Sequence, residues 1–430
     1  MIQIIEGSKE IEKLENIFNR TSMDAEDVLI KVDQILKDVR KRGDEALLRY
    51  TQLYDGNILE DIKVNTKEIE DAKKNISKDL MGAIKNAIDN IYEYHRKQVD
   101  KGFMMEEKEG IILGQIINPI ERVGVYIPGG TASYPSTVMM NVIPANIAGV
   151  KEIIMVTPAD EKGRVKESIL VTADLLGVKE IYKVGGAQAI AALGYGTETV
   201  PKVDKIVGPG NIYVAMAKRK VAGLVGIDMI AGPSEVVVLA DKTANPKFIA
   251  ADLIAQAEHD TRAASILVTD SKDLGYRVID QLNSQLYTLE RRETAEKSLA
   301  DYGAIIITKS LKEGIDIVNR LAPEHLEIMT ANPMEDYKEI KNAGAIFLGE
   351  YSAEAVGDYY GGTNHTLPTS RTARFSSPLG VYDFIKRTSL VYYSPGALKK
   401  AGPDIINLAT EESLTGHANS IKVRLEGEDV

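Results

Sequence analysis

Residues 123–130 read VGVYIPGG, 152–158 EIIMVTP, 180–186 EIYKVGG and 202–210 KVDKIVGPG, with ESILVTADLLGV (167–178) and AQAIAALGYGT (187–197) between them. Short apolar runs closed by Gly or Pro, alternating with helix-length segments, predict βαβ units around a buried parallel sheet. The same grammar restarts after Ala231-Gly232-Pro233, with EVVVLAD (235–241), SILVTD (265–270), GAIIIT (303–308) and AIFLG (345–349) as strands. An α/β protein with two sheet-containing lobes follows. Upstream, residues 24 to about 108 predict helices, because Val28, Val32, Ile35, Leu36 and Val39 recur at three and four and SKDLMGAIKNAIDNIYEYH (77–95) repeats that spacing. Gly43 and Asp55-Gly56 punctuate this region. Past about residue 380 the strand signals fade, and PGALKKAGPDIINLATEESLTGH (395–417) reads as helical.

The chain has 430 residues, enough for about three units of roughly 150 residues each. With 44% hydrophobic and 27% charged residues it has the material for a large core. Lys plus Arg total 52 against 63 Asp plus Glu, a net charge of −11, which argues against nucleic acid or an anionic membrane as the main partner. No apolar run reaches the roughly 18 residues a bilayer span needs, and MIQIIEGSKEIEK lacks a signal-peptide pattern, so a cytoplasmic location is expected. There are no cysteines, which removes disulfides, thiolate nucleophiles and zinc-cysteine sites. Any metal must therefore be held by nitrogen and oxygen.

Five histidines stand out for inspection: His95, His259, His325, His365 and His417. Gln256 and His259 lie three apart in FIAADLIAQAEHD (248–260), a spacing that puts an amide and an imidazole on one helix face. QxxH alone is a weak signal, and its plainer reading is an amphipathic helix with a satisfied polar edge. Asp358 and His365 share a Gly-, Ser- and Thr-rich stretch, GEYSAEAVGDYYGGTNHTLPTSRTARFSSP (349–378), long enough to be a functional loop or an ordinary solvated one. Glu412 and His417 sit near the chain end, where a surface histidine is the plain alternative. Pro323-Glu324-His325 sets an acid beside a base; Pro323 is expected to hold Ala322 extended and so bend the backbone enough for both to reach one site. Read without such a site, it is a helix-to-strand junction. Glycine turns after strands, at Pro128-Gly129-Gly130, Gly185-Gly186 and Gly208-Pro209-Gly210, suit a ligand at strand ends, yet none completes GxGxxG because Tyr213 occupies the last position.

Taken together, RVGVYIPGGTASYPSTVMMNVIPA, VGPGNIYVAMAKR, AGPSEVVVLAD, AQAEHD, RLAPEHLEI, NHTLPTSRTARFSSPLGVYDF and ESLTGHANSIKVR resemble histidinol dehydrogenases, from about residue 25 to residue 424. Thr261, Thr363 and Ser413 depart from the usual Pro, Pro and Gly of that family. The resemblance implies two incomplete Rossmann-like lobes, aldehyde-dehydrogenase-like, with small helical additions at both ends. The expected boundaries are a helical segment over 1–24, a first lobe from 25–122 plus 234–378 carrying metal and catalytic residues, an NAD-binding lobe over 123–233, and a helical tail over 379–430. It further implies one zinc ion per subunit on Gln256, His259, Asp358 and His417, an acid-base pair in Glu324 and His325, and L-histidinol contacts from Ser234, His365 and Glu412 beside the zinc ligands and His325. NAD contacts would come from Tyr126, Gln188 and Asn211. The family is homodimeric, with the carboxyl-terminal segment completing the partner's site, so Glu412 and His417 would act in trans. The implied reaction carries L-histidinol through L-histidinaldehyde to L-histidine. Without cysteine, the aldehyde must be oxidised as its hydrate, not through a thiohemiacetal. A dehydrogenase for another alcohol, a zinc hydrolase and a binding protein are the competing readings.

Overall fold

Both expected sheets form, and each has the strand order of a nucleotide-binding half. In the computed structural model, which describes residues 2–7, 25–129 and 133–427, five parallel strands run in the spatial order Glu180–Tyr182, Glu152–Val156, Arg122–Tyr126, Lys205–Val207 and Gly226–Ile227. In chain order that is 3-2-1-4-5, so the order of strand addition reverses between Arg122–Tyr126 and Lys205–Val207, and ligands bind outside the carboxyl ends at such a point. The second sheet is also parallel: Gln3–Glu6, Ala304–Ile307, Ala264–Thr269, Glu235–Ala240, His325–Met329 and Ala345–Leu348. It repeats 3-2-1-4-5 with one extra edge strand. Strands Glu235–Ala240 and Ala264–Thr269 are buried along their whole length, as continuous apolar runs between helix layers must be.

Several expectations change. Residues 3–6, assigned to a helical segment, form the extra edge strand because Gln3–Glu6 can pair with the otherwise open Ala304–Ile307. The rest of that segment, 8–24, lies outside the described residues. The helices Ala25–Asp55, Thr66–Asn75 and Lys78–His95, expected with the first lobe, pack against helices of the five-stranded sheet. Val32, Ile35, Val39 and Leu47 share one core with Val184, Ile190 and Val214. The link continues through the backbone, since Val64 N–H donates to Ile181 O at 2.9 Å and Lys183 N–H to Ile62 O at 2.7 Å. Gly43, at φ 50° and ψ −129°, bends the long helix where glycine was read as punctuation.

Residues 99–120 and 384–427 form a separate unit. Strands Phe103–Lys108 and Ile385–Tyr393 flank Ile111–Pro119 in an antiparallel sheet, followed by helices Pro395–Glu411 and Thr415–Glu426. Helix was expected to about 108 and throughout 379–430, so both outer strands are corrections. Neither shows clean alternation: Phe103–Lys108 is exposed at every position, and Ile385–Tyr393 buries none fully. Among the described residues no helix is long and apolar enough to cross a membrane.

Candidate active site

The helix Pro246–Ala257 starts with Pro246 in its first turn, and Asn245 caps it by accepting from Lys247 N–H at 3.0 Å. Its last turn delivers Gln256, fully buried, to the amino end of the neighbouring strands. The helix stops at Ala257, so His259 stands in the following turn, its N–H bonded to Gln256 O at 3.2 Å. The QxxH spacing nevertheless brings both side chains to one cavity of about 360 Å³. Ser234, Glu324, His325, Asp358 and His365 line the same cavity.

Glu324 and His325 reach it by a backbone route different from the one expected. Ala322 is left-handed, at φ 48° and ψ 58°, and its N–H bonds Val318 O at 2.9 Å. The reversal from helix to buried strand thus needs a left-handed cap, a conformation costly for alanine and tolerated where surrounding packing over-determines it. Glu324 Oε2 accepts from Glu235 N–H at 3.0 Å. His325 Nδ1 lies 3.1 Å from Glu235 O, which has only lone pairs to offer, so the ring proton belongs on Nδ1 and the buried Nε2 is left as the acceptor. Gln256 Nε2 lies 3.4 Å from Nδ1, and Asp358 Oδ1 lies 3.7 Å from Nε2.

Four carboxylates crowd this imidazole or stand just behind it. Glu354 Oε1 is 3.7 Å and Glu324 Oε2 3.8 Å from Nδ1. Burial opposes charge on His325, but Glu354, Glu324 and Asp358 together hold its proton well above the usual histidine range. Burial pushes Glu324 up to about 7 and Glu354 to about 8. For Asp358 burial is outweighed by His325, His365 and His259, which keep it below the ordinary carboxylate range. Burial lowers His259 and His365. Behind Glu354, Glu327 is pushed to about 9 by burial and by Asp252, and its Oε1 accepts from Glu354 N–H at 2.9 Å.

The ligand atoms of His325, Glu354 and Asp358 all lie within 4.8 Å of one another, a cluster able to hold a cation. Glu354 Oε2 is buried without a hydrogen-bond partner among the described residues. Glu354, Glu327 and Asp252 were not anticipated. The signal existed: Glu327 shares a strand face with His325, Asp252 precedes Gln256 by one helical turn, and Glu354 precedes Asp358 by one.

His365 Nε2 is 3.3 Å from Thr137 Oγ1, and its neighbour Asn364 is pinned by a bond from its Nδ2 to Met140 O at 2.7 Å. On the far wall, the Gly208-Pro209-Gly210 turn is held by a fully buried ion pair between Lys218 and Asp228. Lys218 Nζ donates to Gly208 O at 3.0 Å, and Gly208 N–H donates to Asp228 Oδ2 at 2.8 Å. Asn211 and Pro128 line both this cavity and a larger one of about 1040 Å³ at the switch point of the five-stranded sheet. Tyr126, Gln188 and Asn211 all face that larger space. Tyr126 Oη accepts from Gly186 N–H at 3.1 Å, and Asn211 Oδ1 caps the next helix through Tyr213 and Val214 N–H. Of the expected residues, Glu412 and His417 alone do not line either cavity; they lie exposed in the second unit, at the end of Pro395–Glu411 and in Thr415–Glu426.

The catalytic-type cluster therefore sits at the amino ends of Glu235–Ala240 and His325–Met329, against the larger cavity at the carboxyl ends of the other sheet. A family model described as histidinol dehydrogenase matches residues 18–425. The chain is 52% identical over 428 residues to histidinol dehydrogenase of Clostridium acetobutylicum and 53% over 428 residues to that of Caldanaerobacter subterraneus, covering 99% of each chain in both cases. The crystal structure of histidinol dehydrogenase from Elizabethkingia anophelis superposes with a TM-score of 0.95 at 40% identity, covering 100% of this chain and 99% of that one. The chain belongs to the histidinol dehydrogenase family.

Proposed function

We propose that the protein oxidises L-histidinol through L-histidinaldehyde to L-histidine, passing a hydride to NAD at each step, in the cytoplasm and as the last stage of histidine biosynthesis. The observation that carries this reading is the junction of two cavities: an acid-base cluster, Glu324 with His325, opens beside a dinucleotide-sized space at a sheet switch point.

The residues present fit a zinc ion. Gln256, His259 and Asp358 offer only nitrogen and oxygen from one cavity, and burial keeps His259 neutral while Asp358 stays ionised, the protonation states a metal requires. Three protein ligands leave room for a fourth, which His417 of a second copy would supply if the tail crosses over in a homodimer. Zinc, when bound, supplies positive charge that orients the substrate's imidazole and amino nitrogens and offsets the carboxylate field holding the proton on His325. Nε2 of His325 then takes the hydroxyl proton. Ser234, His365 and the partner copy's Glu412 orient the amino alcohol. Glu324, ionised above about pH 7, draws a proton from water as it attacks the aldehyde. Tyr126, Gln188 and Asn211 hold the dinucleotide with its nicotinamide toward the smaller cavity.

Incubating the protein with L-histidinol and NAD should yield two NADH per histidinol and L-histidine as product. A zinc hydrolase or a silent binding protein would yield no NADH, and a dehydrogenase for another alcohol would leave histidinol untouched.

A further inference from the structure

Asp55 breaks three local rules at once. It is the last residue of the helical segment that follows the break at Gly43, and the last turn of that segment contains no basic residue, so a carboxylate sits at the negative end of a helix dipole. Its Oδ2 is buried and has no hydrogen-bond partner among the described residues. Burial alone raises it to about 6, with no neighbouring cation to offset the cost. Uncompensated violations of this kind mark functional positions. Asp55 also lines the larger cavity together with Tyr126, Gln188 and Asn211.

In sheets of this order an acid after the second strand normally accepts from a ribose hydroxyl. Of the two acids in that region that line the cavity, Glu161 is exposed to solvent and Asp160 is already occupied. Its Oδ1 accepts from Lys162 and Arg164 N–H, each at 2.9 Å, and Arg164 pairs with its Oδ2 at 3.4 Å. Asn57, two residues beyond Asp55, donates from Nδ2 to Asp160 O at 2.9 Å and so moors the end of the long helix to this loop. The helix thereby brings a buried, unpartnered acceptor to the cavity wall beside this loop.

Resting on the reading of the larger cavity as the NAD site, we infer that Asp55 accepts hydrogen bonds from the adenosine ribose hydroxyls and sets the preference for NAD over its 2′-phosphorylated form. Lys31, Lys162, Arg164 and Lys166 around the cavity suit the pyrophosphate. A 2′-phosphate on the ribose would meet the Asp55 carboxylate at close range.

Calorimetric titration of NAD and NADP, with L-histidine present, tests this in the native protein and in Asp55→Ala, Asp55→Asn and Gln188→Ala. Loss of a charge-assisted bond predicts NAD affinity roughly 10- to 100-fold weaker in Asp55→Ala. Asp55→Asn should narrow the NAD-to-NADP affinity ratio at least about tenfold and, without nucleotide at pH 8, raise Tm by removing the uncompensated charge. Unchanged NAD affinity in Asp55→Ala alongside a loss in Gln188→Ala would overturn the role of Asp55 while leaving the NAD site in place. No loss in either variant would overturn the cavity assignment and the inference with it. A lowered Tm in Asp55→Asn would make the carboxylate a structural group and overturn the inference.

Discussion

Glu235 spends its backbone on two neighbours: its N–H fixes the Glu324 carboxylate and its carbonyl fixes Nδ1 of His325. An adjacent acid and base thus acquire separate orientations from one residue on the next strand. We expect His325→Asn to slow both oxidations by about 10²- to 10⁴-fold, the usual worth of a positioned acid-base group. Glu324→Gln should slow chiefly the aldehyde step. Since burial raises Glu324 to about 7, the rate of that step should climb as pH rises through 7 and level off above, and Glu324→Gln should remove the climb. Single-turnover rates with histidinol and with histidinaldehyde as separate substrates check this; equal losses in both steps for both variants would contradict the division of roles. The residue types were legible in the sequence as short spaced motifs. Their convergence was not, because Glu235, Gln256, Glu324 and Asp358 meet only through strand pairing and helix return.

At the scale of elements, strand His325–Met329 presents His325 and Glu327 to the same side, and helix Pro246–Ala257 sets Gln256 and Asp252 opposite them. The fold raises Glu327 from 4.5 to about 9, so the folded protein holds that proton more tightly than the unfolded chain does. The stability this contributes is whole below the unfolded value and drains away as pH rises toward about 9. Glu327→Gln, which keeps an acceptor for Glu354 N–H, should therefore lose less Tm than the native protein between pH 5 and pH 9, by a few degrees. Parallel Tm curves would contradict it. The buried strands were readable as continuous apolar runs closed by glycine. Phe103–Lys108 and Ile385–Tyr393 were not, since strands without a buried face lack the alternation that reveals them. The left-handed Ala322 escaped for another reason: Pro323 restricts its neighbour, but the tertiary path from helix to strand decides which allowed region it takes.

Across the whole molecule, both lobes follow from the repeated strand-turn-helix grammar, whereas the order of their strands and the membership of residues 25–98 in the five-stranded lobe rest on pairing and packing that no local pattern encodes. Glu412 and His417 belong to a unit of their own, and the proposed crossover of the tail predicts subunit complementation. Dimers mixed from a His417→Ala chain and a His325→Asn chain should recover activity, because one site then combines an intact core with the partner's intact tail. Mixed dimers as inactive as either parent would mean that the tail serves its own chain.

The proposed zinc ion, on Gln256, His259 and Asp358 with His417 of a second copy, would take the nitrogens of histidinol into its own coordination. Zinc-edge X-ray absorption of the purified protein, recorded without and then with L-histidinol, reads this directly. The predicted result is a shell of nitrogen and oxygen alone that gains nitrogen neighbours when histidinol is added; a shell left unaltered by histidinol would contradict the account.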